Sequence, residues 1–263
     1  VNVVDSRIVG AVCTITLSDE ARRNALSREL TREFVAAIDA AEANDDVRVI
    51  VITNTGSVFC AGANLSERSS ADSSDSASQA MNPLALFGRF RHSSKPYVGR
   101  IAGHCVAGGM GLAAGLDITV AAHSARFGFT EVRVGVAPAM ISVVCLPKMR
   151  LADAQSAFLR GNRFSAQDAV AIGLITQAVP DEQLDAAVND IVADLLAGGP
   201  HAIAAAKQLL VNVPAMLEDE AFAYTSQLSS NLFTSDEAKE GMTAFLEKRR
   251  AAWVPEAPSS LEF

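Results

Sequence analysis

The 263-residue chain is poor in the groups that build metal, redox and nucleic-acid sites. Its four cysteines, Cys13, Cys60, Cys105 and Cys145, lie far apart in apolar contexts with no CxxC spacing, which points to buried thiols of a reducing cytosol. The four histidines, His92, His104, His123 and His201, make no HExxH or i,i+4 pair, so no metal site is expected. There is no GxSxG, and Ser57 in TGSVF has no evident His and acid partners, which sets aside a serine hydrolase. Basic residues are outnumbered 22 to 30 by acids, and a net charge of −8 argues against general nucleic-acid binding. The opening VNVVDSRIVG lacks a basic stretch followed by an apolar one, so no secretory signal is expected there. The longest apolar run, Ile101 to Ala122, carries His104, an internal Asp117 and five glycines, and no membrane span is expected.

What the chain does have is hydrophobic patterning, with 49% of residues apolar. The β-branched run from Ile8 to Leu17 predicts a strand. Ser27 is placed to cap a helix through Ala43 whose Leu30, Phe34, Ala37, Ile38 and Ala41 share one face. VRVIVIT, Val47 to Thr53, predicts a buried strand, and NTGSVFCAGANL after it a glycine-punctuated loop. The serine-rich stretch Ser66 to Gln79 is too polar to order itself without a ligand or partner. A short helix is expected around Pro83 to Arg91, strands at Tyr97 to Ala102 and Asp117 to Ala122, and helices at Met140 to Arg150 and Leu151 to Leu159. Ser165 and Asp168 form a capping box for a helix that stops at Gly173, and Leu174 to Val179 predicts a last strand. Helices follow at Asp181 to Leu196, His201 to Val211, Ala215 to Leu232 and Ser235 to Lys248. Strand–strand–helix units recur without a fixed period to about residue 180, then helices alone, which divides the chain into an α/β part, 1–180, and a helical module, 181–263.

The segment Arg100 to Pro138 concentrates the chemistry. Gly108 and Gly109 stand in the middle of the apolar run, and a single acid, Glu131, follows among Phe127, Phe129, Val132 and Val134. Gly109, Gly111 and Ala114 match a loose GxGxxG/A dinucleotide fingerprint, with Glu131 twenty residues after Gly111. The helix after such a turn should run three turns, and this one meets Asp117 and a strand almost at once, so a nicotinamide site is set aside. Gly108 opens a short helix and keeps a free N–H at its positive end. A second N–H from the loop Cys60, Ala61, Gly62, Ala63 would complete a cradle for an oxyanion, with Glu131 beside it as a desolvated acid and base. Both glycine loops are equally readable as plain tight turns.

The segments ITLSDEARRNALS, VFCAGANL, GHCVAGGMGLAAGLDITVAA, ARFGFTEVRVGVAP and DEAKEGMTAFLEKRR, taken in order, resemble the signatures of the enoyl-CoA hydratase/isomerase (crotonase) superfamily over nearly the whole chain. The resemblance implies a crotonase-like α/β spiral of ββα turns with a C-terminal helical trimerisation module, and a homotrimer or homohexamer. It implies an acyl-CoA thioester substrate in fatty-acid-type metabolism in the cytoplasm, with no cofactor beyond the coenzyme A of the substrate. By position, Ala63 and Gly108 match the backbone donors to the thioester oxygen, and Glu131 the catalytic acid/base. Arg22, Arg23, Ala25 and Leu26, with Cys60, Ala61, Gly62, Asn64, Leu65, Gly109 and Gly111, match walls of the substrate and coenzyme A site, and Phe245 and Lys248 match C-terminal residues that approach it. Where two-glutamate hydratases carry their first acid this chain has Gly111. That departure leaves hydration of a 2-enoyl-CoA as the leading expectation. Beside it stand Δ3,Δ2-enoyl-CoA isomerisation by the same single residue and a catalytically weak acyl-CoA-binding member. Some hydratases of branched, glutaconyl-type thioesters also resemble this sequence, with glycine at that position.

Overall fold

Gly10 divides the β-branched run that reads as one strand. Its left-handed φ of 56° permits a tight reversal, and the chain pairs with itself as an antiparallel hairpin, β1 (Val4–Val9) on β2 (Val12–Leu17). A computed structural model describes residues 2–70, 84–255 and 261–263. The hairpin leads to α1 (Arg28–Ala43), capped by the Ser27 hydroxyl, which accepts from Leu30 N–H, and buried along Leu30, Phe34, Ile38 and Ala41. Next come β3 (Val49–Asn54), β4 (Val58–Cys60), α2 (Leu65–Ser70), a π turn Leu84–Gly88 and α3 (Arg89–His92).

Each following unit repeats one plan. A long strand enters a first sheet, a short strand enters a second, and a helix returns the chain. The units are β5 (Tyr97–Ile101), β6 (His104–Val106) and α4 (Gly108–Gly115), then β7 (Ile118–Ala122), β8 (Arg126–Gly128) and α5 (Ala139–Cys145). After α6 (Leu151–Arg160) come β9 (Phe164–Ser165), α7 (Ala166–Ala171) and β10 (Gln177–Val179). The first sheet has the order β1-β2-β3-β5-β7-β10, parallel from β2 onward, and the second β4-β6-β8-β9, with only β9 antiparallel. This is the spiral of ββα turns.

The central strands are buried on both faces, as a sheet covered on both sides requires. Ile50 and Ile52 of β3 point into the larger core with α1 and α4, while Val49 and Val51 meet Leu184, Val188, Val192 and Leu196 of α8 (Leu184–Ala197). Then come α9 (Pro200–Asn212), α10 (Glu218–Phe233) and α11 (Asp236–Leu246). No helix among the described residues is long and apolar enough to cross a membrane.

Several boundaries differ from the sequence expectations for local reasons. The helix expected to Arg150 breaks after Cys145 into a 3₁₀ turn around Pro147. Leu174 to Val179 yields only the three-residue β10, and the helix expected from Ala215 starts at Glu218 behind a 3₁₀ turn holding Pro214. Of the polar stretch expected to be unordered, residues 66–70 are helical in α2, because Asn64 Oδ1 accepts from Ser66 and Glu67 N–H at its start. The remainder, 71–79, lies outside the described residues, as does Pro83.

Candidate active site

Three backbone segments meet at one point. Arg23 and Asn24 hold left-handed φ values of 56° and 50°, which turns the loop 22–26 back on itself. Asn24 is fully buried and staples that loop: its Oδ1 accepts from Asp19 N at 2.7 Å, and its Nδ2 donates to Val58 O at 2.7 Å, just before Cys60. The loop is laced to the 60–63 segment by Ala61 N donating to Arg23 O (3.2 Å) and Leu26 N to Gly62 O (2.7 Å). Leu26 and Ala63 form a lone parallel bridge in that register, which leaves Ala63 N–H outside the ladder.

The third segment is the start of α4. Ala107 adopts φ 50°, ψ −125°, a strained conformation for alanine, and so presents the first N–H groups of α4 toward the 60–63 loop. Gly62, at φ +84°, has room for hydrogen only, since a Cβ there would lie 2.7 Å from Gly108 N and 2.6 Å from Ala107 Cβ. A Cβ on Gly108 would lie 3.7 Å from Ala63 N and 3.1 Å from Leu26 Cδ1, and one on Gly109 would meet Cys60 O at 2.5 Å. The glycines let two backbones touch, and the amides of Ala63 and Gly108 lie side by side. Neither donates a hydrogen bond to another described residue.

The strand β8, which leads into Glu131, is tied to the same α4 start. Ala107 N donates to Gly128 O at 2.9 Å, and Gly128 N to Met110 Sδ at 3.4 Å, so the end of β8 is tied to both sides of the α4 start. Three residues on, Glu131 sits in the 3₁₀ turn Thr130–Val134, with its Oε2 buried and without a hydrogen-bond partner among the described residues. Burial raises its pKa above the ordinary carboxylate value, opposed in part by its own backbone N–H. The neighbours responsible differ from those expected. Phe127 and Phe129 are fully buried, but Val132 and Val134 are 37% and 57% exposed and shield nothing. Phe158 of α6 covers Phe129, with ring centroids 4.2 Å apart. The Cys145 thiol, pushed up to about 12 mainly by burial, also feels the Glu131 charge and points to Met110 O at 3.8 Å.

The other expected site residues distribute unevenly. Ala25, Leu26, Cys60, Ala61, Gly62 and Gly109 are gathered at the loop junction. The Cys60 thiol is held at about 12 by burial and accepts from Gly62 N–H at 3.4 Å, which makes it a structural group. Asn64 is occupied with α2, its Nδ2 also donating to Glu67 Oε1 at 3.2 Å, and Leu65 is exposed beside it. Arg22 pairs with Asp19 at 3.3 Å and Glu29 at 3.4 Å, whereas Arg23 is exposed and has no ion pair with a described residue. Gly111 is buried under α5. Phe245, 83% exposed on α11, and Lys248, in a left-handed turn at φ 55° just after it, have no hydrogen bond or ion pair with the loops. Asn24 escaped the sequence reading, although a buried asparagine among left-handed residues has a recognisable signature in its tolerance of that conformation.

A model of the enoyl-CoA hydratase/isomerase family matches residues 7–256, the whole of this arrangement. The chain belongs to that family. It is 33% identical over 244 residues to enoyl-CoA hydratase EchA19 of Mycobacterium tuberculosis, covering 91% of this chain and 92% of that protein. It is 30% identical to the mevalonyl-coenzyme A hydratase sidH of Aspergillus fumigatus over 93% of this chain and 92% of that one. Among solved structures, an enoyl-CoA hydratase of Shewanella pealeana superposes with a TM-score of 0.89 at 26% identity, covering 95% of this chain and 96% of that one. As a member of the hydratase/isomerase family the chain is an enzyme, and the resemblance read from its five segments holds over the whole fold. Its strand–strand–helix spiral is the crotonase fold.

Proposed function

We propose that the protein adds water to a 2-enoyl-CoA thioester at the junction of the 60–63 loop, the α4 start and Glu131. The observation that carries this is the pair of amides, Ala63 and Gly108, without an acceptor among the described residues, at an α4 start to which the strand leading into the desolvated Glu131 is also tied. The thioester oxygen accepts from both amides, and each such donor is worth roughly 3 kcal/mol as the carbonyl becomes an enolate. Ionised Glu131 takes a proton from water as the water oxygen bonds to Cβ, the π electrons pass to the thioester oxygen, and protonated Glu131 returns the proton to Cα. One water is added and Glu131 ends ionised. Arg23, exposed in the 22–26 loop and without an acid partner among the described residues, is a cation available for a coenzyme A phosphate, and the C-terminal helices bring Phe245 and Lys248 to a neighbouring copy in a trimer or hexamer, in the cytoplasm. Hydratases are the named activity of the relatives above.

The isomerase reading keeps one specific support: Gly111 leaves a single carboxylate, which suffices to carry a proton from Cα to Cγ of a 3-enoyl-CoA. Supplying the purified protein with 2-enoyl- and 3-enoyl-CoA separately, and resolving products by mass, decides between them. Addition of one water to the first supports hydration. A shifted double bond without change in mass supports isomerisation, and turnover of neither sinks both.

Two further outcomes follow from the site. Gly62→Ala puts a methyl group against Gly108 N at a left-handed position. We expect kcat to fall by about a hundredfold or more, the usual effect of losing an oxyanion donor, and a near-normal rate would remove Gly108 from the cradle. Glu131 works as a base only when ionised, so activity is lost as pH falls through its raised pKa. The acidic limb of kcat/KM should therefore lie above the ordinary glutamate value of about 4.3. A pH profile with its midpoint at or below that value contradicts the desolvated-base mechanism.

A further inference from the structure

Gly111 lies one turn after Gly108 in α4, so positions 108 and 111 share a face of the helix. Helical Cβ atoms tilt toward the N-terminus, and a side chain at 111 would lean toward the Gly108 amide. That space is taken. A Cβ at 111 would lie 2.9 Å from Ile141 Cβ, closer still to Ile141 Cγ2, and 3.0 Å from Phe87 Cδ1. Ile141 of α5 and Phe87 are both buried, and α5 ends at Cys145, the thiol that feels the Glu131 charge. Ile141 thus fills, in hydrocarbon form, the space that a side chain at 111 would take one turn after Gly108.

From this interlock, and resting on the acyl-CoA reading above, we infer that Ile141 is a specificity-determining residue, limiting the substituent that the acyl group carries on its β-carbon. A thioester oxygen held at Gly108 would set Cα and Cβ of a 2-enoyl group toward the next turn of α4, the turn that Ile141 covers. Because Gly111 has no Cβ, Ile141 packs directly against the α4 backbone at that turn. Trimming it enlarges the pocket at that point, while the helix contact that fixes Gly108 keeps Phe87.

The test compares 2-butenoyl-CoA with 3-methyl-2-butenoyl-CoA as substrates of wild type, Ile141→Val and Ile141→Ala. Dissociation constants of butyryl-CoA and 3-methylbutyryl-CoA are read alongside, since these do not react. Each methyl matters by about tenfold or more in a tight apolar pocket, so the ratio of kcat/KM values should move toward the branched thioester by about tenfold in Ile141→Ala. Ile141→Val should move it less, in the same direction. The binding ratio should follow, and Ile141→Val keeps the comparison available if the alanine variant does not fold. An unchanged ratio in folded variants overturns the role of Ile141 while leaving the reaction intact. Binding of both saturated thioesters without turnover of either enoyl-CoA removes the hydratase reading, while the binding ratio still judges Ile141. Absence of binding to the wild type overturns both.

Discussion

Glu131→Gln is expected to cost at least about a hundredfold in turnover, the scale set by losing a general acid and base. Glutamine keeps the shape and both polar atoms but holds no exchangeable acid proton near neutrality. The two amides still polarise a thioester, so binding of a saturated acyl-CoA should stay close to that of the wild type. The acidic limb of the pH profile should vanish with the carboxylate. Stability moves the other way. Glu131 titrates above its unfolded value because burial disfavours its charge, so its contribution to stability is most favourable at low pH and declines as pH rises through the native pKa. At neutral pH the wild type therefore holds an ionised group at a cost, and the neutral amide removes it. Thermal unfolding of Glu131→Gln at pH 7 should occur no lower than in the wild type. Near-wild-type turnover, or a marked loss of stability, would place Glu131 in a structural role instead.

The second large effect lies away from the chemistry. Lys207 on α9 is only 6% exposed, and its ammonium donates to Asp117 Oδ2 at 2.5 Å, Phe90 O at 2.8 Å and Lys95 O at 2.9 Å. The same carboxylate oxygen accepts from Tyr97 N at 2.7 Å, and the ammonium stands 5.5 Å from the centre of the Tyr97 ring. One cation therefore joins a C-terminal helix, the end of α3, the start of β5 and the exit of α4. Lys207→Met leaves a partly buried carboxylate without its counter-charge and two carbonyls without a donor. Removing one partner of a buried pair costs about 3–5 kcal/mol, which in a chain of this size lowers Tm by on the order of 10 °C. Calorimetry on the purified variant measures it, and a shift below about 2 °C would mean that water replaces the ammonium at little cost.

The sequence carried the long elements well, and for one reason. Strands β3, β5 and β7 and helix α1 bury enough residues in a row for their periodicity to be read, while α9 to α11, which bury few or none in this chain, were legible from their length and the stops between them. The second sheet was not legible, since strands of two or three residues such as β4, β8 and β9 have no periodicity to read. The hairpin of β1 and β2 hid because its reversal rests on a single glycine, Gly10, within an unbroken apolar run. At the site, the glycines and Glu131 stood out as residue types, but the staple of Asn24 and the closure over Gly111 by Ile141 are tertiary facts. Nothing local marks an isoleucine thirty residues downstream as the neighbour of a particular glycine. The shielding expected from Val132 and Val134 failed on geometry: the chain turns at Thr130 into a 3₁₀ helix, which points both valines outward.

The strand orders of both sheets rise monotonically, β1 to β10 in one and β4 to β9 in the other. In a doubly wound sheet the first strand lies in the middle, and later strands are added on both sides of it. Here every strand joins an edge made by a strand that precedes it in the chain. As the polypeptide leaves the ribosome, each new segment finds its template already synthesised, so each sheet grows at one edge only, the edge made by its most recent strand, while the β1 and β4 edges stay as they began.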